Sequence, residues 1–240
     1  MKTIEVLYSE FGNMYGEVYN AMFLDKASEE IEVVYTSLHR EPHFLNHKID
    51  MIYMTNIRDG KTYVILEELK KYKDRLAEMI ENETIFLLTG NALELFGSYI
   101  LENGQKTEGL GLFNYYVEKD FTIKYASWVK GWFNDIEIIG HRNQFSKCHN
   151  IEQPFIQVTD GSGSDIDSTD SKIEGIHYKN FFATYLLGPF LIMNPLFTKY
   201  LLGLLGIDQM NFEEPVMKAY QKRMEYFHKP DARFIMDHNG

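Results

Sequence analysis

Cysteine is almost missing from this chain: of 240 residues only Cys148 carries a thiol. That excludes an internal disulfide and a multi-cysteine zinc site. Basic residues are short as well, 24 Lys and Arg against 35 Asp and Glu, for a formal charge of −11. Nucleic-acid phosphates need a basic face, so no nucleic-acid partner is expected. Long apolar runs are also absent. Residues 181–207 come nearest, but Pro189, Asn194, Pro195 and Lys199 interrupt them. No unbroken stretch of about 18 apolar residues remains, so core strand, turn and buried helix is the reading there, with no membrane span. No signal-peptide pattern precedes the first strand, and the cytoplasm is the expected compartment. No internal repeat is visible.

What is present is ordinary for a globular protein, 45% hydrophobic and 25% charged residues, enough to bury a full core in one α/β domain. Residues 3–8, 31–36, 50–55 and 84–89 read as strands, with helical spacing over 14–27 and an amphipathic helix over 62–82. Strand-helix-strand repetition makes a parallel sheet flanked by helices. After Gly97 the pattern changes. Asn103-Gly104 is a hairpin signal, and 112–118, 122–129, 136–139 and 155–158 are strand-like segments joined by short loops, which predicts antiparallel pairing. Residues 160–172 are rich in Gly, Ser and Asp; they lack the spacing of a calcium loop and read as a solvated surface loop. Residues 179–190 return to a buried strand, and 212–227 to a helix.

The chain is organised around residues 84–97. Ile85-Phe86-Leu87-Leu88-Thr89 reads as a strand buried on both faces, Gly90-Asn91 breaks it, and Ala92 to Phe96 has the composition of a short helix. Strand, tight turn, helix is the frame of a nucleophile elbow, but the residue at its tip is Gly90.

Four stretches carry a resemblance. They are Asn13-Met14-Tyr15-Gly16-Glu17-Val18-Tyr19-Asn20, the elbow at Gly90 to Gly97, Glu108-Gly109-Leu110-Gly111, and Glu174-Gly175-Ile176-His177-Tyr178-Lys179-Asn180 with Thr184-Tyr185-Leu186-Leu187-Gly188-Pro189. In this order the chain resembles the class I glutamine amidotransferase-like family of the cobyric acid synthase type. Within that family it is most similar to the glutaminase subunits of lipid II isoglutaminyl synthase. The resemblance implies a flavodoxin-like amidotransferase fold over 1–240, a mostly parallel central sheet with an added antiparallel portion, and no cofactor or metal. It also implies a protein partner, either a Mur-ligase-like subunit or a second copy.

The family hydrolyses glutamine with a cysteine thiolate, a histidine that shuttles the proton, and backbone N–H groups that hold the oxyanion. Aligned on the motifs, its nucleophile falls on Gly90, its base on Leu187, its elbow glutamine on Glu94, and its oxyanion loop on Thr55-Asn56-Ile57. A basic substrate contact falls on Ile123 or Lys124. The resemblance therefore implies a catalytically silent subunit. The alternative is a small-molecule binder or enzyme of changed chemistry that uses the remodelled cleft, with Thr55, Asn56, Ile57, Thr89, Asn91, Glu94, Lys124 and His177 as its vestigial pocket. Leu187 and Ile57 are expected to fill that pocket with apolar surface. Glu94 is either an acid of the first helical turn or a pocket residue, turned to solvent or to a basic neighbour. His177 is read as ordering the 175–180 turn rather than binding metal, and Cys148 as an inert small residue rather than a relocated nucleophile.

Overall fold

The computed structural model describes residues 1–165 and 172–234. In chain order, strand Lys2–Leu7 (β1) leads through a 3-10 turn, Ser9–Phe11, to helix Val18–Ala27 (α1). Strands Ile31–Thr36 (β2) and Met51–Met54 (β3) precede helices Thr62–Lys70 (α2) and Lys73–Glu81 (α3), and strand Ile85–Thr89 (β4) follows. Next come Tyr99–Glu102 (β5), Gln105–Glu108 (β6), Tyr116–Lys119 (β7), Tyr125–Phe133 (β8), Ile136–Gln144 (β9), Ser146–His149 (β10) and Ile156–Asp160 (β11). Short strands Ile173–Glu174 (β12), Ile176–Tyr178 (β13), Phe181–Thr184 (β14) and Leu186–Leu187 (β15) lead to helices Phe190–Met193 (α4), Pro195–Leu204 (α5) and Glu213–Phe227 (α6).

Six strands form the central sheet in the order β13-β14-β4-β3-β1-β2. All its pairings are parallel except β13 with β14. Side chains alternate across this sheet as the pleat requires. Leu7, Ile52, Met54, Phe86, Leu88 and Phe181 join α2 and α3 in one core. Ile4, Val6, Met51, Tyr53, Leu87 and Phe182 join α1, α5 and the β8–β9 hairpin in the other. Leu88 aligns with Met54 and Thr89 with Thr184, so β3, β4 and β14 end together along one edge. In open parallel sheets, ligands bind in the crevice beyond such carboxyl ends.

Three segments depart from the sequence reading. The helix expected over 62–82 is two helices that break at Tyr72, whose ring turns edge-on to Phe44 at 5.8 Å. Residues 112–115 are not strand: the amides of Leu110, Gly111, Leu112 and Phe113 bond the carbonyls of Leu95, Gly97 and Phe96, closing the end of the helix after β4. The antiparallel rule for the second half also has an exception, since β5 and β7 pair parallel. The Asn103-Gly104 turn does close a hairpin, β5 with β6, both residues at positive φ. Of the loop expected over 160–172, residues 166–171 lie outside the described residues.

Candidate functional site

β4 ends in an elbow. Thr89 is extended, Gly90 turns left-handed at φ 64°, and a 3-10 helix, Gly90–Leu95, begins at once. Glycine holds this backbone without the strain an L side chain would feel. Space forbids a side chain as well. A Cβ on Gly90 would stand 2.3 Å from Asn56 Oδ1 and 2.5 Å from Asn56 Cβ. The space that a side chain at the tip of the elbow would take is thus occupied by a neighbouring amide.

That amide is half of an interlock. Asn91 N–H donates to Asn56 Oδ1 at 3.1 Å, and Ile57 N–H donates to Asn91 Oδ1 at 2.6 Å. Asn91 Nδ2 returns a bond to the Ile57 carbonyl at 2.8 Å. The backbone N–H groups of Asn91 and Ile57 are therefore both satisfied by side chains of this chain. Thr55 is held from behind: Gly12 packs so closely that a Cβ there would meet Thr55 Oγ1 at 2.0 Å, and Arg58 N–H bonds the Phe11 carbonyl. Thr89 closes the row through a 3.1 Å hydroxyl contact with Tyr53, which also bonds Asn20 and the Glu17 carbonyl.

Glu94 lies in the last turn of the 3-10 helix, fully buried, so of its two readings the first-turn acid is corrected and the carboxylate turns to a basic neighbour. Its carboxylate meets Lys119 Nζ at 2.8 Å and accepts from the Tyr185 hydroxyl at 3.3 Å. Lys119 also reaches Asp59 at 3.2 Å. Burial alone would lower the Lys119 ammonium, but Glu94 and Asp59 overcome it and hold its pKa above the ordinary lysine value. A buried charge needs such a partner, because leaving it alone costs several kcal/mol. Sequence reasoning missed Lys119. Its signal was a lone cation ending an alternating strand, and the basic residue was sought at Ile123 and Lys124 instead. Both of those are exposed in the turn before β8, and the charge of Lys124 acts on His141, the strand partner of Leu187.

Other placements are mixed. Leu187 is buried in β15, paired with His141 of β9, just past the carboxyl end of β14. Ile57 belongs to the α2–α3 core. The atoms nearest a Cβ at Gly90 all belong to the polar Asn56, so at the turn itself an amide stands where apolar surface was expected. His177 sits on edge strand β13, where Nε2 contacts the Lys179 carbonyl at 2.8 Å and the ring stacks on Phe182. It aligns with Phe182, well before the strand end, and belongs to the turn rather than to the pocket. Cys148 is fully buried against the Tyr185 hydroxyl at 3.5 Å, and burial pushes its thiol far above the usual range. His149 points the other way, stacked on Tyr116 and paired with Glu118, so no Cys-His dyad forms. Beneath the elbow, Glu174 binds the Thr184 hydroxyl and the Tyr185 amide, and burial raises its pKa although Arg142 opposes this.

Comparison with known proteins fits this architecture. Among solved structures, a glutamine amidotransferase superposes with a TM-score of 0.57 at 12% identity, covering 85% of this chain and 99% of the other. PurLQS from Thermotoga maritima gives 0.54 at 13% identity, covering 93% and 99%. The fold is that of a glutamine amidotransferase. No family model matches the chain. Two curated relatives do. The lipid II isoglutaminyl synthase (glutamine-hydrolyzing) subunit GatD of Streptococcus pneumoniae is 26% identical over 197 residues, 78% of this chain and 74% of the relative. That of Staphylococcus aureus is 28% identical over 203 residues, 83% and 82%. This amidotransferase-like chain thus keeps the scaffold, while its elbow carries glycine and an asparagine interlock.

Proposed function

We propose that this chain is a non-hydrolytic counterpart of the GatD-type glutaminase subunit. In this reading it acts as a partner or regulatory subunit of a Mur-ligase-like or cobyric-acid-synthase-like synthetase, in the amidation of lipid-linked peptidoglycan precursors. The observation that carries the proposal is the Asn56–Asn91 interlock. It occupies the space of a nucleophile side chain and spends the two N–H groups that would stabilise an oxyanion. Oxyanion donors must be free and aimed at developing charge to contribute to rate. Leu187, at the base position, has no atom that can take a proton. Cys148 is no substitute, being buried and held as the neutral thiol.

The alternative, a cleft reused for a small molecule, is less well supported. Asn56, Asn91 and Glu94 are buried and bonded to one another or to Lys119, which leaves few polar groups to receive a ligand. Among the described residues no helix is long and apolar enough to cross a membrane. The cytoplasm, where a lone thiol stays reduced, suits the proposal. The test is affinity purification from the native cell, with identification of what co-elutes. Recovery of a synthetase of the Mur-ligase type supports the proposal; reproducible isolation of the free chain alone counts against it.

A further inference from the structure

Away from the elbow, α3, edge strand β13 and the loops 112–115 and 150–153 enclose a cavity of about 280 Å³. Three aromatic rings line it. Phe113 stands edge-on to Tyr178 at 6.1 Å and 73°, and lies parallel to Tyr115 at 6.0 Å and 20°. Phe113 also packs on Phe181 at 4.6 Å, and the ring surface that the cluster leaves toward the void carries the negative π density that attracts a cation. The polar lining has the matching sign. It includes Glu81 and Glu152, and no lysine or arginine lines the cavity among the described residues. Glu81 is neutralised at the rim by Lys179 at 2.6 Å. Glu152 has no cation beside it among the described residues and accepts only from Asn114 Nδ2, at 3.2 Å. His177 adds no opposing charge, because burial lowers its pKa and favours neutral imidazole. The Lys179 ammonium already lies over the Tyr178 ring at 5.5 Å, so a ring of this cluster accepts a cation on one face.

We propose that this cavity is a binding site for a small organic cation, an alkylated ammonium held by Phe113, Tyr115 and Tyr178 with Glu152 as its counter-charge. The volume suits a headgroup of a few carbons rather than a large ligand. The site is distinct from the Gly90 turn, although the Tyr115 hydroxyl bonds the Leu93 carbonyl of the helix that follows it, and it does not depend on the proposed loss of hydrolysis.

The experiment titrates the full chain with tetramethylammonium chloride and with tert-butanol, a neutral probe of nearly the same shape, at matched ionic strength. Binding is followed by NMR of the protein and of the probes. The cation is expected to saturate, with tert-butanol at least about tenfold weaker, since only the cation gains from ring faces and carboxylate. Glu152→Gln and Phe113→Leu should each weaken the cation several-fold and leave tert-butanol unchanged. Thermal melts check that both variants fold; Glu152→Gln, at an exposed position, keeps the test decisive if Phe113→Leu does not. Equal affinity for the two probes, cation binding unmoved by Glu152→Gln, or no saturation by either probe would overturn the proposal.

Discussion

The elbow and the aromatic cavity sit on the same central sheet and have opposite characters. At the elbow the backbone makes a tight left-handed turn at Gly90 where the strands end together, yet its polar groups are tied to one another. At the cavity, where Ile176 to Tyr178 meet the loops 112–115 and 150–153, rings and a carboxylate line open volume. The difference teaches that a site is defined less by its fold position than by polar groups left unspent. Buried groups that satisfy each other stabilise the fold, whereas groups facing space are available to a ligand.

The sharpest way to break this comparison is to leave the elbow's buried charge without its partner. Lys119→Met isolates the Glu94 carboxylate, and urea denaturation is expected to show a loss on the order of 3–5 kcal/mol. Adding Glu94→Leu should recover most of it, because a well-packed apolar pair replaces a buried ion pair at little cost. If Lys119→Met is neutral, Glu94 is not held as described.

Opening the interlock comes next. Asn91→Ala leaves the Ile57 N–H and C=O unpaired, at about 1–3 kcal/mol for each buried group left unsatisfied. Hydrogen exchange at the Ile57 amide should accelerate with it. Gly90→Ala tests the same spot from the other side. The left-handed backbone alone costs about 1–2 kcal/mol, and the clash with Asn56 adds to it. In an Asn56→Gly background the clash vanishes and only the backbone cost should remain, a non-additivity that marks direct contact. Equal effects in both backgrounds would place Asn56 elsewhere.

The smallest effect belongs to the cavity. Burial depresses the His177 pKa below its ordinary value of 6.5. The unfolded chain therefore takes up this proton first, so the contribution is present above 6.5 and is lost as pH falls through the folded value. His177→Gln should flatten the decline of the urea midpoint between about pH 7.5 and about pH 5. His141, depressed for the same reason and by Lys124, continues the decline in that variant.

Much of the fold was legible in the sequence. β1 to β4 announce themselves as apolar or β-branched runs, and Asn103-Gly104 marks its hairpin because asparagine and glycine tolerate positive φ. The break at Tyr72 was hidden, since no glycine or proline signals it and the contact made there, Tyr72 edge-on to Phe44, joins residues far apart in the chain. Residues 112–115 misled because their apolar run serves to close the helix after β4 rather than to pair in a ladder. At the site, the sequence reading put Gly90 at the tip of the elbow, with Asn56 and Asn91 among the residues of the pocket around it. It gave no sign that the two asparagines bond each other's loops, because that depends on where residues 35 apart come to rest. Lys119 was invisible for a related reason: its counter-charge Glu94 lies 25 residues earlier, on another element.

The central claim is that the elbow has no hydrolytic chemistry left, and ammonia release tests it most directly. The purified chain is incubated with glutamine, alone and with any synthetase that co-purifies. Release is predicted to equal that of buffer in both cases, and to remain there in Gly90→Cys, since Leu187 still offers no base and Asn56 still fills the space. Release by the unaltered chain that saturates with glutamine would contradict the account.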